Sequence, residues 1–138
     1  MAIKRIFVSI ILIGLLEIST TMVLGDNVKI ITYYFYGNAR CSTCHKMEQY
    51  TKEAVENNFK DELAKGLLVF MAVNIEEKGN EHFVNDYQLY TKALIISRVA
   101  NGKEVEHKNL TKIWEYVGDK KKFFNYVTTE INNYLKDN

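Results

Sequence analysis

VKIITYYFY (residues 28–36), running into GNARCSTC (residues 37–44), is the stretch that decides how this chain folds. Its first nine residues are dense in β-branched and aromatic side chains and hold no glycine or proline, so they predict a strand. The run lacks a polar face, which predicts cover on both sides. Gly37-Asn38 ends the strand. Two cysteines follow, Cys41 and Cys44, and then Met47, Tyr50 or Thr51, Ala54 or Val55, and Phe59 recur at helical spacing. The dithiol therefore falls where a buried strand hands over to a helix that starts at or just before Ser42.

Downstream, Leu67–Val73 (LLVFMAV) predicts a second buried strand. Asn80 is the expected N-cap of a short helix over Glu81–Tyr87, with Phe83, Val84 and Tyr87 turned inward. Ala93–Val99 predicts a third strand, and Asn101-Gly102 is a strong hairpin signal that returns the chain as a fourth strand over Lys103–Glu106. Leu110, Ile113, Trp114 and Val117 mark one or two helical turns. Asp119 then caps a closing helix whose stripe is Phe123 or Phe124, Val127, Ile131, and Tyr134 or Leu135.

The order is β-α-β-α-β-β-α. A strand–helix–strand unit implies a parallel pair with a right-handed crossover, and the hairpin adds antiparallel strands. The expected fold is α/β, a four-stranded mixed sheet flanked by helices, in one domain over residues 26–138. A dithiol at the first strand–helix junction of that order is the thioredoxin-like arrangement.

Upstream, Lys4 and Arg5 precede an apolar run of eleven residues, Ile6–Leu16, and a more polar segment leads to Gly25. This is the layout of a secretory signal peptide over residues 1–25, which places the mature chain in the periplasm or outside the cell. The competing reading is an uncleaved anchor. The nineteen residues Ile6–Leu24 are near the lower limit for a membrane span, but Glu17, Ser19, Thr20 and Thr21 interrupt them. Contact with a membrane is expected only through this segment. The formal charge of the 138-residue chain is +1, so no nucleic-acid or acidic partner is indicated.

Export puts the two thiols where they can oxidise. A disulfide across three positions closes too small a loop to staple a fold, so a structural role explains the pair poorly. A helix N-terminus and the neighbouring Arg40 would both favour a Cys41 thiolate, and Cys44, one turn on, is within its reach. The pattern suits an attacking Cys41 and a resolving Cys44, acting on a redox partner protein or a thiol substrate. Two alternatives compete. Cys41-Ser42-Thr43-Cys44-His45 matches the haem-attachment pattern C-x-x-C-H. Against it, the preceding segment is a strand, and Met47 and Met71 are poorly placed as axial ligands, Met71 because it falls inside an expected buried strand. The second alternative is that the two thiolates of Cys41 and Cys44 hold Zn, Cu(I) or a metalloid such as arsenic. His82 and His107 lie far off in sequence and read as surface residues.

GNARCSTC at 37–44, NEHFVNDYQLYTK at 80–92, NL at 109–110 with IWEYVGDK at 113–120, and the closing helix together carry a resemblance. The chain resembles a family of small exported bacterial thioredoxin-like proteins labelled nitrophenyl compound nitroreductase subunit and linked by name to arsenic-resistance genes. That resemblance implies a thioredoxin-like fold; its label says little about mechanism, does not point to a nitroreductase activity of this chain alone, and is compatible with an electron-donating accessory role. No G-x-G-x-x-G or other flavin or nicotinamide motif is present, so no cofactor is expected.

Against thioredoxins in general the sequence departs at three places. Arg40 stands where a tryptophan is usual, the first strand has no Asp or Glu, and the loop expected to face the dithiol, Tyr90-Thr91-Lys92-Ala93-Leu94, lacks the usual cis-proline. The chain has no proline at all, so a trans peptide is expected before Ala93. In thioredoxins that proline helps to dock extended substrates and keeps metals off the dithiol. Its absence implies a more specialised thiol site. Lys92 is a candidate to add positive charge beside Cys41. Of the aromatic residues Tyr33, Tyr34, Phe35, Tyr36 and Trp114, most are expected in the core.

Overall fold

The computed structural model describes residues 27–136. The signal-peptide segment lies outside the described residues. The elements are β1 (Val28–Tyr36), α1 (Ser42–Asn58), α2 (Lys60–Ala64), β2 (Leu68–Asn74), α3 (His82–Asp86), β3 (Ala93–Ala100), β4 (Lys103–Asn109), α4 (Ile113–Tyr116) and α5 (Lys120–Lys136).

The strands form a four-stranded sheet in the order β2-β1-β3-β4. β1 pairs parallel with β2 and antiparallel with β3, and β3 pairs antiparallel with β4. This is a thioredoxin-like α/β sheet, with the apolar β1 inside it between β2 and β3. Side chains alternate across β1. Ile30 and Tyr34 join Met47 of α1, Leu94 and Ile96 of β3, and Phe123 and Val127 of α5 in the main core. On the opposite face Phe35 packs with Val73, Leu89, Ala93 and Ile95, and the rings of Phe83 and Tyr87 from the α3 segment close over it.

Several local signals act as their chemistry dictates. Asn101 and Gly102 both take positive φ, 52° and 79°, the geometry of a type I′ hairpin turn. The Asp119 carboxylate accepts from the Lys122 backbone N–H at 3.1 Å and so caps α5.

Four expectations need correction. First, β2 is an edge strand and only partly buried: Met71 is 43% exposed, and Leu67, expected as the first strand residue, lies just ahead of β2 and is 41% exposed. An unbroken apolar run reports side-chain chemistry, and it does not distinguish an inner strand from an edge one. Met71 is therefore a surface residue, not one locked in a strand interior. Second, Asn80 does not cap α3. Glu81 holds that position, and the Asn80 amide donates instead to the Asn74 carbonyl at 2.9 Å. Third, Trp114 is 41% exposed, outside the core. Fourth, β4 runs on to Asn109 with every residue exposed, beyond the expected end at Glu106. One element had no signal. α2 (KDELA) buries none of its residues, so no apolar stripe could announce it.

Candidate functional site

Cys41 is the N-cap of α1, in extended backbone geometry with φ −92° and ψ 166°. Its carbonyl accepts from the His45 N–H at 3.1 Å, the first bond of the helix. Its sulfur accepts from the Cys44 N–H at 3.2 Å. A helix start leaves several N–H groups unpaired, and here one is aimed at the sulfur that would carry negative charge. Cys41 and Cys44 are disulfide-bonded, with Cα atoms 5.1 Å apart. Their environments differ: Cys41 is exposed, whereas Cys44 is 1% exposed. His45 faces solvent.

Beneath the pair lies a cluster that the sequence reading missed. Tyr34, fully buried, donates its hydroxyl to the Cys44 carbonyl at 2.7 Å. Burial pushes the Tyr34 pKa up to about 12. The Arg40 charge opposes the shift, the Glu48 charge adds to it, and a hydrogen bond from Arg40 opposes it further. Arg40 is ion-paired with Glu48, and its guanidinium carbon lies 4.1 Å from the centre of the Tyr36 ring. Arg40 thus stands beside Cys41 in sequence, but its guanidinium binds partners on β1 and α1, and Glu48 balances its charge. Two signals could have found this cluster. Alternation puts Tyr34 and Tyr36 on the α1 side of the sheet, and Glu48 follows Cys44 by one helical turn.

A second set of contacts anchors the loop that carries Cys41. The Asn38 N–H donates to the Glu76 carboxylate. The Asn74 amide donates to the Asn38 side-chain oxygen at 2.8 Å, and the Glu76 N–H donates to the Asn74 side-chain oxygen at 3.0 Å. A Cβ on Gly37 would sit 2.7 Å from the Glu76 carboxylate, so any side chain there would push that carboxylate aside.

Lys92 lies in the loop between α3 and β3. It shares a cleft of about 230 Å³ with Tyr36, Gly37 and Ala39, residues just ahead of the dithiol. Its carbonyl accepts from the Trp114 indole N–H at 3.2 Å. Ala93 is the first residue of β3, pairs with Phe35 and is buried in the smaller core. All peptide bonds among the described residues are trans. The structure thus brings Cys41, Cys44 and Arg40 into one local assembly, sets Lys92 at the neighbouring cleft and buries Ala93 in the smaller core. Among the described residues no group of three or more His, Cys, Asp or Glu side chains forms a candidate metal site, so a metal at the dithiol would start from two sulfurs. His82 and His107 sit instead beside Asp86 and Glu104, at 2.6 and 2.8 Å.

No protein-family model matches the sequence, and no curated protein matches it. Solved structures similar to it include the following two. One is described as a malarial protein, with 14% identity over 63% of this chain and 94% of that one, and a TM-score of 0.39. The other is the thioredoxin of Fasciola hepatica, with 22% identity over 65% of this chain and 79% of that one, and a TM-score of 0.38. The thioredoxin-like reading of the fold rests on strand order, strand direction and the position of the disulfide at the β1–α1 junction.

Proposed function

We propose that this chain is an exported thiol–disulfide exchange protein in which Cys41 attacks and Cys44 resolves. The asymmetry of the pair carries the reading: an exposed sulfur at a helix N-cap is bonded to a buried one a turn into the helix. In the reduced chain the Cys41 thiolate attacks one sulfur of a substrate disulfide. A mixed disulfide forms and the first substrate thiolate leaves. The Cys44 thiolate then attacks Cys41 and expels the second. Two electrons have passed from the dithiol to the substrate, and the Cys41–Cys44 disulfide remains. The Cys44 N–H at the Cys41 sulfur favours the thiolate at the attacking position.

The cleft beside the dithiol gives a partner somewhere to dock. Tyr90, 94% exposed, lines it, and Trp114 lines a second cleft on the other side of the same loop. A redox partner protein that presents a cysteine-bearing segment would lie across these aromatics. The role as an electron-donating accessory subunit rests on the sequence resemblance. Export rests on Lys4, Arg5 and the apolar run after them, and a purified native chain beginning near Asp26 would support it.

Alkylation of the reduced chain with limiting reagent at neutral pH tests the roles. Cys41 should be labelled before Cys44. With a disulfide substrate, Cys44→Ser should accumulate a mixed disulfide on Cys41. Preferential labelling of Cys44, or trapping on Cys44 in the Cys41→Ser chain, would reverse the assignment.

A further inference from the structure

The two edge strands of the sheet, β2 and β4, are built differently. β4 reads KEVEHKN, fully exposed and loaded with charge, which is how an edge is kept from pairing with another strand. β2 reads LVFMAVN and carries no charge. Its ladder to β1 uses alternate residues. At one end the Leu67 carbonyl accepts from the Ile30 N–H at 2.8 Å, and at the other the Ile75 N–H donates to the Tyr36 carbonyl at 2.9 Å. That parity points the backbone groups of Leu68, Phe70 and Ala72 away from β1, and no hydrogen bond among the described residues engages them. An open hollow of about 460 Å³ lies beside Met71, Ala72, Asn74 and Glu77. Leu67 and Met71 are exposed apolar side chains at this same edge.

We propose that β2 is a dimerisation edge. Two copies of the chain join β2 to β2, antiparallel, about a two-fold axis at Met71, and make one continuous sheet of twice four strands. The edge is complementary to itself in that register. Phe70 of one copy faces Ala72 of the other, and both carry the outward backbone groups that an antiparallel pair exchanges. Val69 meets Val73, and Met71 meets its own copy, so no like charges are opposed. The contact is isologous and closes on itself. A strongly acidic or basic partner strand would find no counter-charge here. An interface of one strand pair is small, so the dimer is weak and concentration-dependent. Because β1 runs parallel to β2, the axis sends the two dithiols to opposite ends of the joined sheet, and both stay accessible. The proposal is independent of the redox reading.

Sedimentation equilibrium and amide hydrogen exchange on the full oxidised chain test it. The chain should associate reversibly to a dimer, and the Phe70 and Ala72 amides should exchange more slowly as concentration rises. Met71→Lys places like charges on the axis, at an exposed side chain, and should weaken association by about tenfold or more with the thermal midpoint of the dilute protein unchanged. Met71→Glu should do the same, and mixing the two variants should restore a dimer. A chain that is monomeric at all concentrations would overturn the proposal, as would a dimer indifferent to Met71→Lys. So would slow exchange of these amides in a monomer, which would mean that the chain's own residues cover the edge.

Discussion

The hydroxyl of Tyr34, on the central strand, donates to the carbonyl of Cys44, on the first helix, at 2.7 Å. It ties the sheet to the buried half of the dithiol. Tyr34→Phe removes that donor and leaves the ring in place, and should cost about 0.5–1.5 kcal/mol in denaturant unfolding. The alkaline limb of stability should also change. The folded Tyr34 pKa is raised from 10.0 to about 12, so its contribution is fully present below about pH 10 and is lost as pH rises through about 12. Tyr34→Phe should therefore flatten the fall in stability between those values. An unchanged slope would show that Tyr34 ionises as freely in the folded chain as in the unfolded one.

Arg40 and Glu48 should act on Cys41 as a neutral unit. Arg40→Gln leaves the Glu48 charge without its partner, so the Cys41 pKa should rise in the reduced chain and stability should fall by about 1–3 kcal/mol. Adding Glu48→Gln should return the Cys41 pKa close to that of the unaltered chain. Thiolate absorbance against pH reads both. If the double variant keeps the raised pKa, Arg40 acts on Cys41 directly.

Gly37 and Glu76 should be energetically coupled through the loop that holds the dithiol. Gly37→Ala forces the Glu76 carboxylate off the Asn38 N–H and should cost about 0.5–1.5 kcal/mol. In a Glu76→Ala background the same substitution should cost much less. A double-mutant cycle in urea measures the coupling, and additive effects would show that the loop is held by other contacts.

The parts of this site that could be read from the sequence are those that depend on local chemistry. β1 begins at Val28 and ends at Tyr36 as composition and the Gly37-Asn38 turn require. The dithiol sits at the helix start because Cys41, which follows the Gly37-Asn38 turn after Ala39 and Arg40, caps α1, and the Asn101-Gly102 hairpin and the Asp119 cap follow from residue type alone. What could not be read depends on which strands become neighbours. Whether LLVFMAV lies inside the sheet or at its edge is decided by a strand order that no local pattern encodes. The partner of Arg40 was hidden for a related reason: sequence adjacency suggests Cys41, but the side chain reaches Glu48, eight residues on, across the Tyr36 ring. Ala93, assigned by analogy to the loop expected to face the dithiol, opens β3, where it pairs with Phe35 and is buried in the smaller core, a packing that no local pattern announces.

The central claim is that Cys41 and Cys44 form a reversible two-electron couple. Equilibrating the purified chain in thiol–disulfide buffers of graded potential tests it most directly, with free thiols counted and absorption spectra and metal content recorded on the same samples. One reversible transition should gain both thiols together and be abolished by Cys41→Ser or Cys44→Ser, with no haem band and no stoichiometric metal. A disulfide that does not exchange across that range, a haem spectrum, or a metal that holds both thiols would contradict it.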